Sequence, residues 1–306
     1  MLGYAAKEYA RSFAEFGEPL ALPRSGGWLL ARALPDESGH DAMGCYPLFC
    51  CTDWKRLRDD LQDLPADIVA VSLVADPVAD VSLAGLKESF PDVCYHYKDH
   101  YFADLSHPLE SFVASHHQRN ARQAAKSLRV ERLENPLEFL ATWNELYGQL
   151  IERHDIRGQA AFSAAAFQEQ FMVPGLRAYA AFAHDEIVGM VLWMVNETTA
   201  YYHLAAYSDA GYELKASFAV FWHSLEAFAA EGIHYAALGG GAGTFVASEG
   251  LSRFKQGWSN ETRPANLCGR ILDRARYAEL TARSGNRDSS SSYFPAYRAP
   301  ALKNAA

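Results

Sequence analysis

The stretch GIHYAALGGGAGTFVASEGLSRFKQGW, residues 232–258, combines a short strand, three consecutive glycines and a helix that carries two cations. Its apolar run at 234–238 predicts the strand, and the segment from Gly250 onward predicts the start of the helix. Glycines let a backbone approach a ligand closely, and a nearby cation can stabilise negative charge that develops during a reaction. The same glycines are also compatible with a flexible loop. A phosphate-binding loop of the G-x-x-x-x-G-K-[ST] type is excluded, because no Gly-Lys-Ser/Thr follows them.

The length and composition describe a globular chain with ample material for a core. Its 306 residues are enough for one large domain or two of ordinary size. The hydrophobic fraction of 49% and the aromatic fraction of 13% are far from those of a disordered chain. A net charge of −9 predicts a surface that repels nucleic acid and anionic lipid, so DNA is not expected as a partner. Any polyanionic partner then needs a local basic patch.

The cysteines and the apolar runs indicate a cytoplasmic protein. The five cysteines are odd in number and form no C-x-x-C pair, so we expect buried thiols in a reducing compartment and no metal site. No apolar run approaches the roughly 20 residues of a membrane span. Charges are distributed through the N-terminal segment, which therefore lacks the apolar core of a secretion signal.

The order of elements predicts two α/β subdomains. Strand and helix alternate through the first hundred residues and end with a short strand at 94–97, and a polar loop, DESGHDAMGCYP, interrupts them. Helices follow, and then three apolar runs at 178–182, 187–195 and 200–207 predict an antiparallel meander. We place the N-terminal subdomain at 1–104 and the C-terminal one at 105–306, with a flexible serine-rich segment near 285–292.

A basic helix stands out in this acidic chain. The segment from Ser106 to about Leu128 begins with a capping serine and an early proline, and it contains His116, His117, Arg119, Arg122 and Lys126. The cations either form a solvated helix face or bind the phosphates of a substrate through Arg119 and Arg122. A metal site at the adjacent histidines is not expected, because neighbours on a helix point about 100° apart.

Several stretches together resemble the FemAB-like branch of the GNAT acyltransferase superfamily. They are QRNARQAAK at 118–126, similar to an R-N-x-R-x-A-x-K helix, IVGM at 187–190, the glycines 239–241, and GLSRFK at 250–255. The resemblance covers roughly residues 98–272, and the first hundred residues only through the order of strands and helices. It implies an α/β (α+β) fold with two side-by-side GNAT-like subdomains, mixed sheets and flanking helices, the N-terminal subdomain lying on the acceptor side.

The resemblance implies an N-acyltransferase that moves an acyl or aminoacyl group from an activated donor to an amine. Fem proteins proper use aminoacyl-tRNA and extend peptidoglycan side chains; other donors are acyl-CoA and a carrier-bound acyl group. The acceptor would be a small-molecule, glycan or peptide amine, and no permanently bound cofactor is implied. The coenzyme A loop Q/R-x-x-G-x-G/A is replaced by DAGYELKAS at 209–217, with one glycine. A catalytically silent binding module is the alternative outside the enzyme class.

Candidate site residues follow from the resemblance and from the patterns around it. Lys255 matches the family lysine beside the transferred group and Phe254 its aromatic neighbour, while Tyr202 and His203 are candidates for a general base. His203 is alternatively a strand histidine with its hydrogen bonds satisfied. The residues predicted to bind the donor are Gly211, Lys215, Ser217, Gly239, Gly240, Gly241 and Phe254. The residues predicted to bind phosphate are Arg119 and Arg122, and those predicted to bind the acceptor are Asp41 and Tyr46.

Overall fold

A computed structural model of the chain describes residues 1–241, 249–284 and 293–299. The predicted flexible segment near 285–292 lies outside these residues, and so do residues 242–248, which follow the three glycines. In the described part of the chain, no helix is both long and apolar enough to cross a membrane.

The described part of the chain is a mixed α/β structure. The strands are β1 (Glu18–Leu22), β2 (Gly27–Ala33), β3 (His40–Gly44), β4 (Ile68–Val74), β5 (Val93–Asp104), β6 (Arg129–Leu133), β7 (Leu176–Ala183), β8 (Glu186–Val195), β9 (Thr199–Tyr207), β10 (Tyr235–Gly239) and β11 (Glu261–Ile271). The α-helices are α1 (Lys7–Arg11), α2 (Leu57–Gln62), α3 (Leu83–Ser89), α4 (Leu109–Phe112), α5 (Ser115–Ala124), α6 (Leu140–His154), α7 (Ala164–Phe171), α8 (Asp209–Glu213), α9 (Ala216–Ala230), α10 (Glu249–Gln256) and α11 (Arg274–Arg283). The predicted α/β class with mixed sheets and helices is confirmed.

Two compact units make up the described residues. The first contains Gly3–Tyr97 and the described residues from Ala265 onward, and the second contains Lys98–Pro264. This division differs from the predicted one at 104/105, because the C-terminal segment belongs with the first unit. Strand β11 of that segment pairs antiparallel with β4, from Leu267 opposite Val74 to Ile271 opposite Ala70. A pairing between such distant segments leaves no local signal in the sequence.

The sheet of the first unit has the strand order β1-β2-β3-β4-β11. All neighbours are antiparallel except β3 and β4, which are parallel. The run IVAVSLV of β4 is apolar at all but one position, as expected for a strand that is mostly buried on both faces. Its side chains join a core that includes Leu29, Phe49, Leu61 and Phe90.

The sheet of the second unit has the strand order β5-β10-β9-β8-β7-β6. The predicted meander of β7, β8 and β9 is antiparallel, and β10 joins β9 in parallel after the helix α9. Trp193, Phe221 and Phe228 pack between this helix and the sheet. The parallel pairing of the described residues covers only Tyr235–Ala237 against Thr199–Tyr201. Tyr202 and Gly239 therefore lie just beyond this parallel pairing, while Tyr202 still pairs with Trp193 of β8 and Gly239 with Tyr101 of β5.

Three short strands were not predicted. β1 begins at Glu18, and β3 lies inside the predicted polar loop DESGHDAMGCYP. β6 comes directly after the predicted basic helix and lies at the edge of its sheet. Such strands form because a neighbouring strand pairs with them, and the β-propensity of their own residues contributes little to their formation. β5 is also longer than the predicted strand at 94–97, and its extra residues turn out to matter for the site.

Candidate functional site

Lys255 of α10 is a buried lysine in the second unit. Its side chain is 7% exposed, and its Nζ donates a hydrogen bond to the carbonyl oxygen of Gly240 at 2.6 Å. The ammonium also lies 5.6 Å from the ring centroid of Tyr202. No carboxylate pairs with it among the described residues. Burial, and after it the nearby charge of Lys98, lowers the pKa of Lys255 to about 7.

Gly239 and Gly240 make room for the side chains of two lysines. Gly239 has φ +74°, and a Cβ there would lie 3.2 Å from Nζ of Lys255. A Cβ on Gly240 would lie 2.9 Å from Cδ of Lys98 and 3.2 Å from Cδ2 of His100. Larger residues would therefore push these side chains away. The lysine side chains thus come close to Gly239 and Gly240. The predicted close approach of a ligand, and donor binding by Gly239, Gly240 and Gly241, stay predictions.

Strand β5 contributes a second lysine and a histidine that the sequence patterns missed. Lys98 and His100 are two positions apart on the strand and so lie on the same face. The Nζ of Lys98 donates to the carbonyl oxygen of Gly241 at 3.4 Å, and burial lowers the pKa of Lys98. We ended the predicted strand at Tyr97, before both residues. The continuing aromatic run at Tyr101 and Phe102 was the signal that could have extended it.

His100 is 3% exposed, and neither ring nitrogen has a hydrogen-bond partner among the described residues. Burial lowers its pKa to about 3, with smaller contributions from the charges of Lys98 and Lys255. The ring is therefore neutral at physiological pH. A buried neutral imidazole beside two amines is a chemically unusual group for a core.

Tyr202 and His203 lie on opposite faces of β9. The ring of Tyr202 is near Lys255 and packs on Trp193 and Phe221. His203 is buried on the other side, where its Nε2 is 3.0 Å from Oε1 of Gln170, and burial lowers its pKa to about 3. The structure thus brings Tyr202 to the lysine but not His203. The hydrogen bond with Gln170 agrees with the alternative interpretation, in which His203 is a strand histidine with its hydrogen bonds satisfied.

An aromatic cluster holds α10 in place. Phe254, which precedes Lys255, packs on Phe221 with ring centroids 5.0 Å apart, and Trp258 lies 5.6 Å from the same ring. His117 of α5 donates from Nε2 to the carbonyl oxygen of Phe254 at 3.1 Å, and burial lowers the pKa of this histidine to about 4. Phe254 therefore positions the lysine through packing, whether or not it also contacts a donor.

The basic helix α5 packs against the start of α9. Lys215 precedes α9 in a left-handed conformation, φ +60°, and its Nζ donates to Oδ1 of Asn120 at 3.0 Å and to Oε1 of Gln123 at 2.8 Å. Arg119 and Arg122 are exposed on the same helix α5. The first N–H groups of α9 have no partner within the helix, which favours an anion there. Ser217 lies in this first turn.

The packing of α8 on β8 requires a glycine at position 211. A Cβ at this position would lie 2.0 Å from the carbonyl oxygen of Val188, so only glycine lets α8 pack on β8. Its N–H donates to the hydroxyl of Ser208 at 3.2 Å, which caps the helix. This packing accounts for the single glycine of the DAGYELKAS segment, and a role of Gly211 in donor binding stays a prediction.

The two predicted acceptor residues lie in the first unit. Asp41 is fully buried on β3, and its carboxylate accepts from Nε of Arg32 at 2.9 Å, Nε of Arg298 at 2.6 Å and the hydroxyl of Tyr297 at 3.1 Å. These partners are sufficient to explain the buried carboxylate as part of a structural ion-pair cluster. Tyr46 is 43% exposed and its carbonyl oxygen accepts from the hydroxyl of Tyr9. Acceptor binding by either residue stays a prediction.

Comparison with known proteins finds a family match for part of the chain. Residues 114–256 match the model of the acetyltransferase (GNAT) domain. That range lies within the second unit and includes Arg119, Tyr202 and Lys255, but it excludes Lys98 and His100. No curated protein sequence matches the chain.

Three solved structures share the fold over most of the chain. FemX has a TM-score of 0.66 at 14% identity, covering 89% of this chain and 93% of that one. The C-terminal domain of a putative lysylphosphatidylglycerol synthetase from Agrobacterium fabrum has a TM-score of 0.63 at 14% identity, covering 92% of each chain. L-PGS from Bacillus licheniformis has a TM-score of 0.56 at 13% identity, covering 89% of this chain and 93% of that one. Together with the GNAT domain, this fold fits the FemAB-like branch that the sequence motifs indicated.

Proposed function

We propose that this chain, which contains a GNAT acetyltransferase domain and fits the FemAB-like branch, is an N-acyltransferase. It would transfer an acyl or aminoacyl group from a phosphate-bearing donor to an amine. The observation that carries the proposal is the buried ammonium of Lys255, which has a glycine carbonyl and no carboxylate as its partner among the described residues. Such a charge is costly unless an anionic species compensates it during function.

The chemistry would be an amine attack on an activated carbonyl. The nitrogen lone pair forms the new C–N bond while the carbonyl π electrons move to oxygen, giving a tetrahedral oxyanion. Lys255 would stabilise that oxygen in a site from which water is largely excluded, where a charge acts more strongly than in solution. The carbonyl then reforms, the leaving group departs with its electron pair, and the nitrogen loses a proton to solvent.

The donor would bind on the face formed by α5 and the start of α9. Arg119, Arg122 and Lys215 are cations on this face, and the N–H groups at the start of α9 add partial positive charge. These groups suit phosphates of either coenzyme A or the 3′ end of a tRNA. The dense basic patch in a chain of net charge −9 is the observation that keeps aminoacyl-tRNA as the second candidate donor.

The test is transfer by the purified protein in parallel reactions with acyl-CoA and aminoacyl-tRNA donors. Each donor is supplied with amino sugars and lysine-containing peptides as acceptors, and amide products are detected by mass spectrometry. We expect an amide product with one donor class only. Binding of neither donor, measured by thermal shift and filter binding, together with no product would contradict the proposal and favour a silent binding module.

A further inference from the structure

His100 is a buried polar side chain that the fold itself does not use. It is 3% exposed, and both ring nitrogens lack a hydrogen-bond partner among the described residues. A buried polar group without a partner costs about 1–3 kcal/mol. Native proteins keep few such groups, and those they keep call for a functional explanation. A ligand atom that accepts or donates a hydrogen bond would supply the missing partner.

The position of His100 restricts which ligand atom that is. The side chain shares its face of β5 with Lys98. It lies against Gly240, whose Cβ, if present, would be 3.2 Å from the ring, and Gly240 is the residue whose carbonyl accepts from Lys255. The imidazole is therefore grouped with two amines around one glycine. A cluster of two amines and an imidazole favours the binding of a negatively charged ligand atom.

The protonation state of His100 determines what it can offer to such an atom. Burial, and then the charges of Lys98 and Lys255, favour the neutral ring. A neutral imidazole carries one N–H and one bare nitrogen. Taking up a proton would place a third cation among two amines, whereas donating a hydrogen bond adds no charge. Neutral imidazoles act in this way on carbonyl oxygens in other enzymes.

We propose that His100 donates a hydrogen bond from its neutral ring to the oxyanion of acyl transfer, beside the ammonium of Lys255. The inference rests on the proposed function. As the C–N bond forms, the carbonyl π pair moves to oxygen, which accepts from the His100 N–H and from Lys255. The His100 proton stays on its ring nitrogen throughout. When the carbonyl reforms, the bond to the leaving group breaks and its electron pair departs with the sulfur or oxygen of the donor.

A matched pair of variants separates hydrogen-bond donation from proton transfer. His100→Gln retains a side-chain N–H donor but cannot accept a proton, and His100→Leu has neither ability. We expect His100→Leu to lower kcat about 10²–10³-fold, with a smaller change in KM, and His100→Gln to stay within about tenfold of the parent. Equal losses in the two variants would identify a proton acceptor and overturn the proposal. A folded His100→Leu protein with turnover within a few-fold of the parent would overturn it as well.

A second measurement does not depend on turnover. The intact protein, labelled with ¹⁵N in its histidine rings, is followed by NMR, with His100→Gln identifying the His100 signals by their loss. Formate and inorganic phosphate serve as probes that carry an anionic oxygen. We expect neutral-ring signals from about pH 5 to about pH 9 and a shift of the ring N–H when either anion is added.

The two measurements distinguish failure of the inference from failure of the proposed function. Absence of acyl transfer by the parent protein would contradict the proposed function, while the NMR titration would still decide whether His100 donates to an anionic oxygen. No shift with either anion, or a ring that takes up a proton within that pH range, would overturn the inference even in an active enzyme.

Discussion

Asp41 in the first unit and Lys255 in the second are both buried charges, and their surroundings are opposite. Asp41 is surrounded by two guanidinium groups and a phenol, which together compensate its charge and satisfy its oxygens. Lys255 has one carbonyl oxygen at 2.6 Å, an aromatic ring and the repulsive charge of Lys98. A compensated buried charge can be explained by stability alone. An uncompensated one lowers stability, so its presence is better explained by function.

Removal of the compensated charge should have the largest effect on folding. In Asp41→Ala, Arg32 and Arg298 lose their buried partner, and we expect the free energy of unfolding to fall by about 3–5 kcal/mol. Urea denaturation of the variant and its parent measures the difference. The matched control is Asp59→Ala, which breaks the surface pair with Arg56 and should cost only about 0–1 kcal/mol. Similar losses of unfolding free energy in the two variants would contradict the interpretation of Asp41 as a compensated structural charge.

Removal of the uncompensated charge should have the largest effect on turnover. Lys255→Met keeps the apolar stem, and we expect kcat to fall about 10²–10³-fold, or roughly 3–4 kcal/mol, with a smaller change in KM. Turnover is measured with the donor and acceptor that yield an amide in the transfer assay, together with a melting curve. The exposed Lys87→Met in α3 serves as the control and should leave turnover unchanged. A folded Lys255→Met protein that turns over within a few-fold of the parent would place the chemistry elsewhere.

The same substitution should stabilise the protein in a pH-dependent way. The pKa of Lys255 is about 7 in the folded protein, below its ordinary value of 10.5. Between these values the unfolded chain holds a proton that the folded protein lacks, so this group makes the free energy of unfolding rise with pH. We therefore expect Lys255→Met to be more stable than the parent by a few kcal/mol near pH 6, with the difference vanishing toward pH 10.

Chemical denaturation at several pH values checks this dependence. A difference between Lys255→Met and the parent that does not change from pH 6 to pH 10 would contradict it, because a compensated or solvated lysine has no such pH dependence. Lys87→Met should show no dependence in this range.

Replacement of the exposed cations of α5 should have the smallest effect, and it should affect donor binding only. For the double variant Arg119→Ala and Arg122→Ala we expect a donor dissociation constant about tenfold higher, with stability changed by no more than about 1 kcal/mol. The effect should shrink as salt is raised, since exposed charges are screened. Donor binding at two salt concentrations measures both. Unchanged binding would identify these arginines as a solvated helix face.

Much of the second unit was determined by the sequence alone. The meander of β7, β8 and β9, the helix α9 and the strand β10 carry strong apolar periodicity, and turn residues separate them. The residue pattern singled out the glycines and the two cations of the following helix, and the resemblance to the FemAB-like branch singled out Lys255. Apolar periodicity and turn residues involve positions close together in the sequence, so strands and helices with these signals can be predicted without the tertiary structure.

Other features were decided only by the tertiary structure. The strands β1, β3 and β6 exist because their neighbours pair with them, and the C-terminal segment joins the first unit because β11 pairs with β4. Burial then gave Lys255 its low pKa, made His100 a neutral ring, and surrounded Asp41 with structural partners. Desolvation depends on every segment that packs around a side chain, and those segments are far apart in the sequence.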